Sequence, residues 1–306
     1  MWLLYAFTGP LLWAVSTHID KFLVDKYFRH SDTAVLIVFT ALLGVLALPA
    51  IWLAEPGVLA LPWLATCVMT VSGILYMGAM LFYLRAIQSE EASVVAPLFQ
   101  ANTVFTFMLG LAFLHEMPRW QQLAGAALVV GGALGLSLDR DLRFGSFKPR
   151  LVLLMCAATF VLALSSVVFK FFAVHAEFWS TTFWTFVGEG LFGGAILAVP
   201  GYRRQFLHLF RKNPGAVIGV NAANELINLG GGLGVRYASL LAPVALVSAI
   251  SATSTFFVFL FGILLTLFFP RIGREDLSAR NVIQKAVGGV LIMAGVVLIQ
   301  VYAGPN

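Results

Sequence analysis

The segment Trp13-Ala14-Val15-Ser16-Thr17-His18-Ile19-Asp20-Lys21-Phe22 lies over Leu162-Ala163-Leu164-Ser165-Ser166-Val167-Val168-Phe169-Lys170-Phe171 at an offset of 149, matching Ser16 with Ser165 and Lys21 with Lys170. Further stretches extend the alignment. Arg85 falls on Arg236, and Ala101-Asn102-Thr103-Val104-Phe105 on Ala252-Thr253-Ser254-Thr255-Phe256, at 151; Gly125-Ala126-Ala127-Leu128 falls on Gly288-Gly289-Val290-Leu291 at 163. Self-similarity of this kind reads as duplication of one structural unit. The change of offset puts an insertion around Arg271 to Arg280 in the second copy.

The medium in which the two copies fold follows from composition. Of 306 residues, 60% are hydrophobic and 11% charged, and the mean hydropathy is +0.93. Soluble domains carry about 25% charged residues, so the chain reads as an integral membrane protein. A net charge of +5 does not point to nucleic acid, because the basic residues sit in short gaps between apolar runs and build no basic helix or aromatic platform. Cys67 and Cys156 fall inside apolar runs and have neither disulfide-framework nor metal-ligand spacing. The first apolar run follows no basic segment and has a counterpart in the second copy, so a cleaved signal peptide is not expected.

Apolar runs of roughly 18 to 25 residues mark membrane spans. Ten are expected: about 3–24, 33–54, 63–86, 92–114, 119–137, 151–175, 180–199, 214–237, 243–269 and 282–303. The longest connections, 138–150, 200–213 and 270–281, are short, charged and rich in turn residues. Each copy then holds five spans, and an odd count turns the second copy over in the membrane. The expected fold is an all-α integral membrane protein of ten transmembrane helices in two inverted five-helix repeats, 1–137 and 151–306, joined by a cytoplasmic linker, 138–150. Inverted repeats of this kind place a transporter's substrate site near the midplane, where the units meet.

Orientation follows from lysine and arginine, which favour the cytoplasmic side. Connections 1-2, 3-4, 5-6, 7-8 and 9-10 hold fourteen of the nineteen basic residues; the other side, with both termini, holds Arg119 and Arg236. Lys21, Lys170 and Lys285 lie within spans. Both termini are therefore placed outside the cytoplasm, in a multi-pass protein of the inner (cytoplasmic) membrane.

From Leu84 to Gly135 the sequence reads LRAIQSEEASVVAPLFQANTVFTFMLGLAFLHEMPRWQQLAGAALVVGGALG. This resembles the fourth and fifth helices of EamA-type members of the drug/metabolite transporter superfamily. The similar features are a small-residue helix start at Glu91-Ala92-Ser93, the Val104-Phe105-Thr106 segment, a helix closed by Leu114-His115-Glu116, and a glycine-spaced fifth helix. The resemblance implies ten helices in two inverted fives, and it speaks to fold far more than to substrate. The chain departs from the family pattern at three points. Asn102-Thr103 stands where such proteins often have proline, Glu116 has only Leu267 or Phe268 opposite it in the second copy, and the charge bias opposes a termini-inside arrangement.

The principal candidate site is Asn221-Ala222-Ala223-Asn224-Glu225-Leu226-Ile227-Asn228. Positions 221, 224, 225 and 228 share one helix face, and a carboxylate at the centre of a span is costly enough to mark function. The first copy places Thr70, Gly73, Ile74 and Met77 at the corresponding positions, so the polarity belongs to one half only. Glu189, between Gly188 and Gly190 in the seventh span, either exchanges the proton of a coupled transporter or forms a fixed ion pair with Lys170. Lys170 has apolar neighbours and is expected in the cavity, whereas Lys21 lies near a span end and can snorkel to the headgroups. His18, two positions before Asp20, is either a proton relay or a hydrogen-bonded structural residue.

Gln100 and Asn102 either line the fourth helix or pack, while Tyr76 and Trp184 lie deeper than the interfacial tryptophans and tyrosines and are candidates for substrate contact. The pairs Gly131/Gly135, Gly190/Gly194 and Gly230/Gly234 have the spacing of close helix contacts. Gly230-Gly231-Gly232 is expected to hinge or break the eighth span; no strand precedes it and no Lys-Ser/Thr follows, which excludes a phosphate loop. No HExxH, GxSxG or evident carboxylate metal cluster is present, so neither catalysis nor a cofactor is expected.

These residues together fit a secondary active transporter for a small polar, zwitterionic, amino-acid-like metabolite. Glu225 and the asparagines would take amino or polar groups, Lys170 an anionic group, and Glu189, Glu225 or His18 a coupling proton. The alternative is a flippase for a lipid-linked headgroup such as a polyprenyl-phosphate sugar. Expected partners are the small-molecule or lipid-linked substrate and membrane lipids, with no nucleic acid, in a monomer or homodimer.

Overall fold

The computed structural model describes residues 1–23, 32–89, 98–99, 101–137, 149–212, 219–268 and 279–302. The described residues are almost wholly helical and contain no strand. In order the helices are α1 (Trp2–Leu23), α2 (Thr33–Ala54), a 3-10 turn (Pro56–Ala60), α3 (Trp63–Ser89), α4 (Ala101–Leu114), α5 (Trp120–Ser137), α6 (Pro149–His175), α7 (Phe178–Ala198), α8 (Pro200–Lys212), α9 (Gly219–Leu241), α10 (Val244–Ser251), α11 (Ser254–Phe268) and α12 (Ala279–Val301).

Four described segments are long and apolar enough to cross a membrane: Ala34–Ala54, Trp63–Ala86, Leu151–His175 and Val244–Phe268. A fifth is obtained if α7 and α8, bent by 98°, count as one. This is fewer than the expected ten, for a physical reason. Helix α9 carries Asn221, Asn224, Glu225, Asn228 and Arg236, and α1 carries Ser16, Thr17 and His18, so neither reads as a simple apolar rod, while the apolar segments Ala101–Leu114 and Ala286–Val301 are shorter than a span among the described residues.

Chain breaks fall where local chemistry demands them. Asp32 caps α2 by accepting from the Ala34 amide at 2.9 Å. After Leu114, His115 takes a left-handed conformation (φ 54°), which turns the chain so that the Glu116 amide donates to the Gly110 carbonyl. Pro243 separates α9 from α10, and the chain breaks again at Ala252 and Thr253 before α11. The expected hinge at Gly230-Gly231-Gly232 is corrected here. Helix α9 runs unbroken from Gly219 to Leu241, and Gly231 and Gly234 instead seat α1: a Cβ on Gly231 would press on Trp13 and Gly9, and one on Gly234 would strike Thr8.

Packing is by helix pairs, chiefly α1 on α9, α3 on α6, α2 on α7, α3 on α7 and α5 on α12. Helix α6 also lies along α4, and α1 along α11. One apolar core gathers Trp2, Leu246, Ile250, Ile292 and Ile299 from α1, α10 and α12. A second joins Val35 and Val38 of α2 and Met77 of α3 to Phe206 and Leu209 of α8. Where α3 crosses α7, side chains are removed: a Cβ on Gly73 would enter the Thr185 carbonyl, and one on Gly188 the Thr70 carbonyl. Helix α5 meets α12 in the same way through Gly125, Gly132 and Gly295. The expected Gly131/Gly135 contact is not the one used, since both positions and Gly194 face open space. The register of the contact is seven residues, Gly125 to Gly132, because helix crossing rather than spacing alone decides which glycines meet a neighbour.

Segment 200–213, expected as a turn-rich connection, forms helix α8 up to Lys212. Its Phe206 ring lies 4.9 Å from that of Phe39, and Gln205 accepts from the Asp32 amide at 3.0 Å, tying α8 to the start of α2.

Candidate functional site

Helix α9 supplies the polar face anticipated from its spacing. Asn221, Asn224 and Glu225 are buried, with Glu225 7% exposed, and Asn228 is half-buried. Thr40 of α2 donates to Glu225 Oε1 at 3.0 Å. The Asn221 amide nitrogen is buried without an acceptor among the described residues. An unmet buried donor costs about 1 to 3 kcal/mol, so this face has hydrogen-bonding capacity that the described protein leaves unused.

Three turns further along the same helix, Arg236 enters the interior. Its Nη2 donates to Glu189 Oε1 of α7 at 2.9 Å, forming an ion pair. The guanidinium carbon stands 5.3 Å from the ring centres of Phe169 and Phe186 and 5.9 Å from that of Tyr76, within reach of cation–π attraction. Tyr76 thus lines the same pocket of rings around the guanidinium. Gly44 of α2 faces Glu189 Oε2, keeping that side of the carboxylate free of a side chain. Helices α2, α3, α6, α7 and α9 thus line a polar path through the interior, with Glu225 and the amides at one level and Arg236, Glu189 and Tyr76 three turns further along.

Arg236 was expected in a connection outside the membrane, because it lies near the end of an apolar run. Its capture inside by Glu189 and three rings was missed. The repeat offered no signal of it, since it aligns Arg236 with Arg85. Arg85 has stayed at an exposed position, where it donates to the Tyr202 hydroxyl at 3.2 Å.

Of the two readings of Glu189, the fixed ion pair with Lys170 is not formed. Lys170 of α6 forms its ion pair with Glu116, in the connection between α4 and α5, and donates to the Ala242 carbonyl at 2.6 Å. Glu116 Oε2 in turn accepts from the Val244 amide at 2.8 Å. Lysine and carboxylate therefore clasp both sides of the Pro243 break, and the charge of Lys170 is engaged by protein.

The remaining candidates separate. Trp184 donates its indole N–H to the Val58 carbonyl at 2.8 Å, pinning the 3-10 turn against α7 rather than presenting the ring to a cavity. His18 Nε2 lies 3.0 Å from the Val258 carbonyl and joins α1 to α11; the side chains of Asp20 and Lys21 lie outside the described residues. Asn102 donates to Ser248 Oγ at 3.2 Å, across from Thr103, and its own Oδ1 is buried without a partner among the described residues. Gln100 lies outside the described residues. Among the described residues, no cluster of His, Cys, Asp and Glu has the geometry of a metal site.

Comparison with known proteins adds family to geometry. Residues 1–138 match the EamA-like transporter family. Over 71 residues the chain is 34% identical to solute carrier family 35 member G1 of Mus musculus, covering 23% of this chain and 19% of that protein. Over 138 residues it is 26% identical to solute carrier family 35 member G1 of Homo sapiens, covering 44% of this chain and 37% of that protein. The matches thus span well under half the length of these relatives. A solved crystal structure superposes with a TM-score of 0.70 at 17% identity, covering 98% of this chain and 96% of the other, a likeness of fold. Through its first 138 residues, this multi-pass membrane protein is similar to the EamA-like transporter family.

Proposed function

We propose that the protein is a secondary active transporter that carries a small polar, zwitterionic metabolite across the cytoplasmic membrane by alternating access. The observation that carries this reading is the buried polar face of α9, which holds Glu225 and Asn221 and, three turns further on, the Arg236–Glu189 pair beside Tyr76. Intramembrane charges facing a bundle interior are the usual mark of a transport pathway. In this reading Glu225, Asn221, Asn224 and Asn228 receive amino and polar groups. Arg236, which uses one Nη2 donor on Glu189 and has further N–H donors in its guanidinium, receives the anionic group in place of Lys170, which is held at the Pro243 break. Glu189 or Glu225 carries a coupling proton.

The proposed architecture is ten spans in two inverted five-helix units, 1–137 and 151–306, joined through 138–150. Helix pairing supports it. Counting α10 and α11 as the ninth span and α12 as the tenth, span 1 packs on 8 as 6 packs on 3, span 6 on 4 as 1 on 9, and 2 on 7 and 5 on 10 pair across the units. Exchanging the two units maps each of these pairs onto another or onto itself, whereas the close contact of span 3 with 7 is matched only by a slighter one of span 8 with 2. With Arg236 now inside the bundle, Arg119 is the one basic residue left in the connections opposite the fourteen, which supports termini outside the cytoplasm.

The test is a thermal-shift screen of amino-acid-like ligands, followed by proteoliposome flux with and without a pH gradient. A stabilising ligand that is also transported, and that loses both properties in Glu225→Gln and Arg236→Met, is the expected result. Wild-type binding and flux in both variants would remove the site. Indifference of wild-type flux to the gradient would remove the proton and leave the transporter.

A further inference from the structure

Helix α8 has no role in the site, yet its side chains are sorted in a way that the protein interior does not explain. Tyr202, Phe206 and Leu209 form the stripe that meets the bundle. Next to it, Leu207 and Phe210 are large apolar residues left 41% and 43% exposed. Arg204, His208 and Arg211, at i, i+4 and i+7, occupy the opposite, exposed face, and Arg203 is exposed beside Phe210. Among the described residues, neither ion pair involves these arginines. Arg204 reaches only its own helix, donating from Nε to the Pro200 carbonyl at 3.2 Å.

The 98° bend at Val199 sets α8 nearly perpendicular to α7. With α7 crossing the bilayer, α8 lies along its surface. A helix lying there with one apolar flank uncovered and a basic ridge above it has the division of faces that buries apolar side chains at the acyl boundary and holds cations at headgroup level. We infer that α8 is a binding site for anionic phospholipid, with Leu207 and Phe210 against the acyl chains and Arg203, Arg204 and Arg211 on the headgroup phosphates. Charge complementarity selects the occupant, since a zwitterionic headgroup offers these arginines no net charge. The site has consequences for the interior. Helix α8 continues α7, which holds Glu189, and Gln205 and Phe206 fasten it to α2, which holds Thr40. The inference rests on the transporter reading only through the membrane plane that α7 sets.

The experiment uses the full chain in neutral detergent, titrated with short-chain phosphatidylglycerol or with phosphatidylcholine of the same chain length, and reads the thermal unfolding midpoint. Phosphatidylglycerol is expected to raise the midpoint of the wild type, phosphatidylcholine to leave it nearly unchanged, and added salt to shrink the difference. The Arg203→Gln/Arg204→Gln/Arg211→Gln variant is expected to need at least about tenfold more phosphatidylglycerol, since each basic group near a membrane surface contributes about fivefold. Arg119→Gln should behave as the wild type. If the triple variant does not fold, the single variants carry the test at about fivefold each. Equal responses to the two lipids, or a wild-type response in the charge variants, would overturn the inference. So would an equal shift from oligoglutamate at matched charge, which would make the partner an acidic peptide. None of these readouts involves transport, so the lipid site and the substrate site stand or fall separately.

Discussion

Replacing Arg236 by methionine tests the centre of the site most directly. The side chains of Glu189 and Arg236 are 6% and 19% exposed, and the bond between them is 2.9 Å long. In Arg236→Met the carboxylate is left without water or its partner, and breaking a buried pair from one side costs about 3 to 5 kcal/mol. Methionine fills much of the space against Tyr76, Phe169 and Phe186, because its unbranched chain adapts to irregular gaps. The loss is therefore mainly electrostatic. Changing both partners, Arg236→Met with Glu189→Met, removes the stranded charge, and an apolar replacement of a buried pair is often neutral to within about 1 kcal/mol.

The expected pattern is thus a badly destabilised single variant and a double variant close to the wild type. The assay is thermal unfolding of all variants in one detergent at one scan rate, since unfolding of such a protein need not be reversible, with flux measured on the same preparations. Transport should be lost in both. Stability losses that simply add across the cycle would refute the pairing as the source of stability. Recovered transport in the double variant would refute the role of these charges in the pathway.

Four further outcomes follow from the geometry. Glu225→Gln keeps an acceptor for Thr40, so stability should change by no more than about 1 kcal/mol, while ligand binding measured by thermal shift falls at least about tenfold (about 1.4 kcal/mol); undiminished binding would exclude Glu225. Lys170→Met strands Glu116 beside the Val244 amide and should cost on the order of 3 kcal/mol, with faster amide exchange at 242–246; adding Glu116→Gln should recover part of the loss. Gly188→Ala drives a methyl into the Thr70 carbonyl and should cost about 1 to 3 kcal/mol by thermal unfolding or prevent folding. Gly135→Ala, in open space on α5, should be neutral or stabilise by up to about 1 kcal/mol.

What the sequence determined by itself rests on composition and period. Apolar runs in an otherwise charge-poor chain identify a membrane protein, because lipid offers no substitute for backbone hydrogen bonds and imposes helices of bilayer length. The spacing of Asn221, Asn224, Glu225 and Asn228 determined a polar face on α9, since neighbours on a helix are fixed by 3.6 residues per turn. Their burial, with Thr40 on Glu225, follows from that face turning inward.

The choice of charge partners belongs to the tertiary structure. Glu189 and Lys170 were both visible as buried ions, but their partners, Arg236 and Glu116, lie 47 and 54 residues away in sequence and are brought close only by packing. Arg236 sits near a span end, where sequence cannot tell a headgroup contact from an inward one; Tyr76, Phe169 and Phe186 decide it. The glycines make the same point. Spacing marks Gly131 and Gly135 as readily as Gly125 and Gly132, and only the line along which α5 crosses α12 determines which of them lies under a neighbouring backbone.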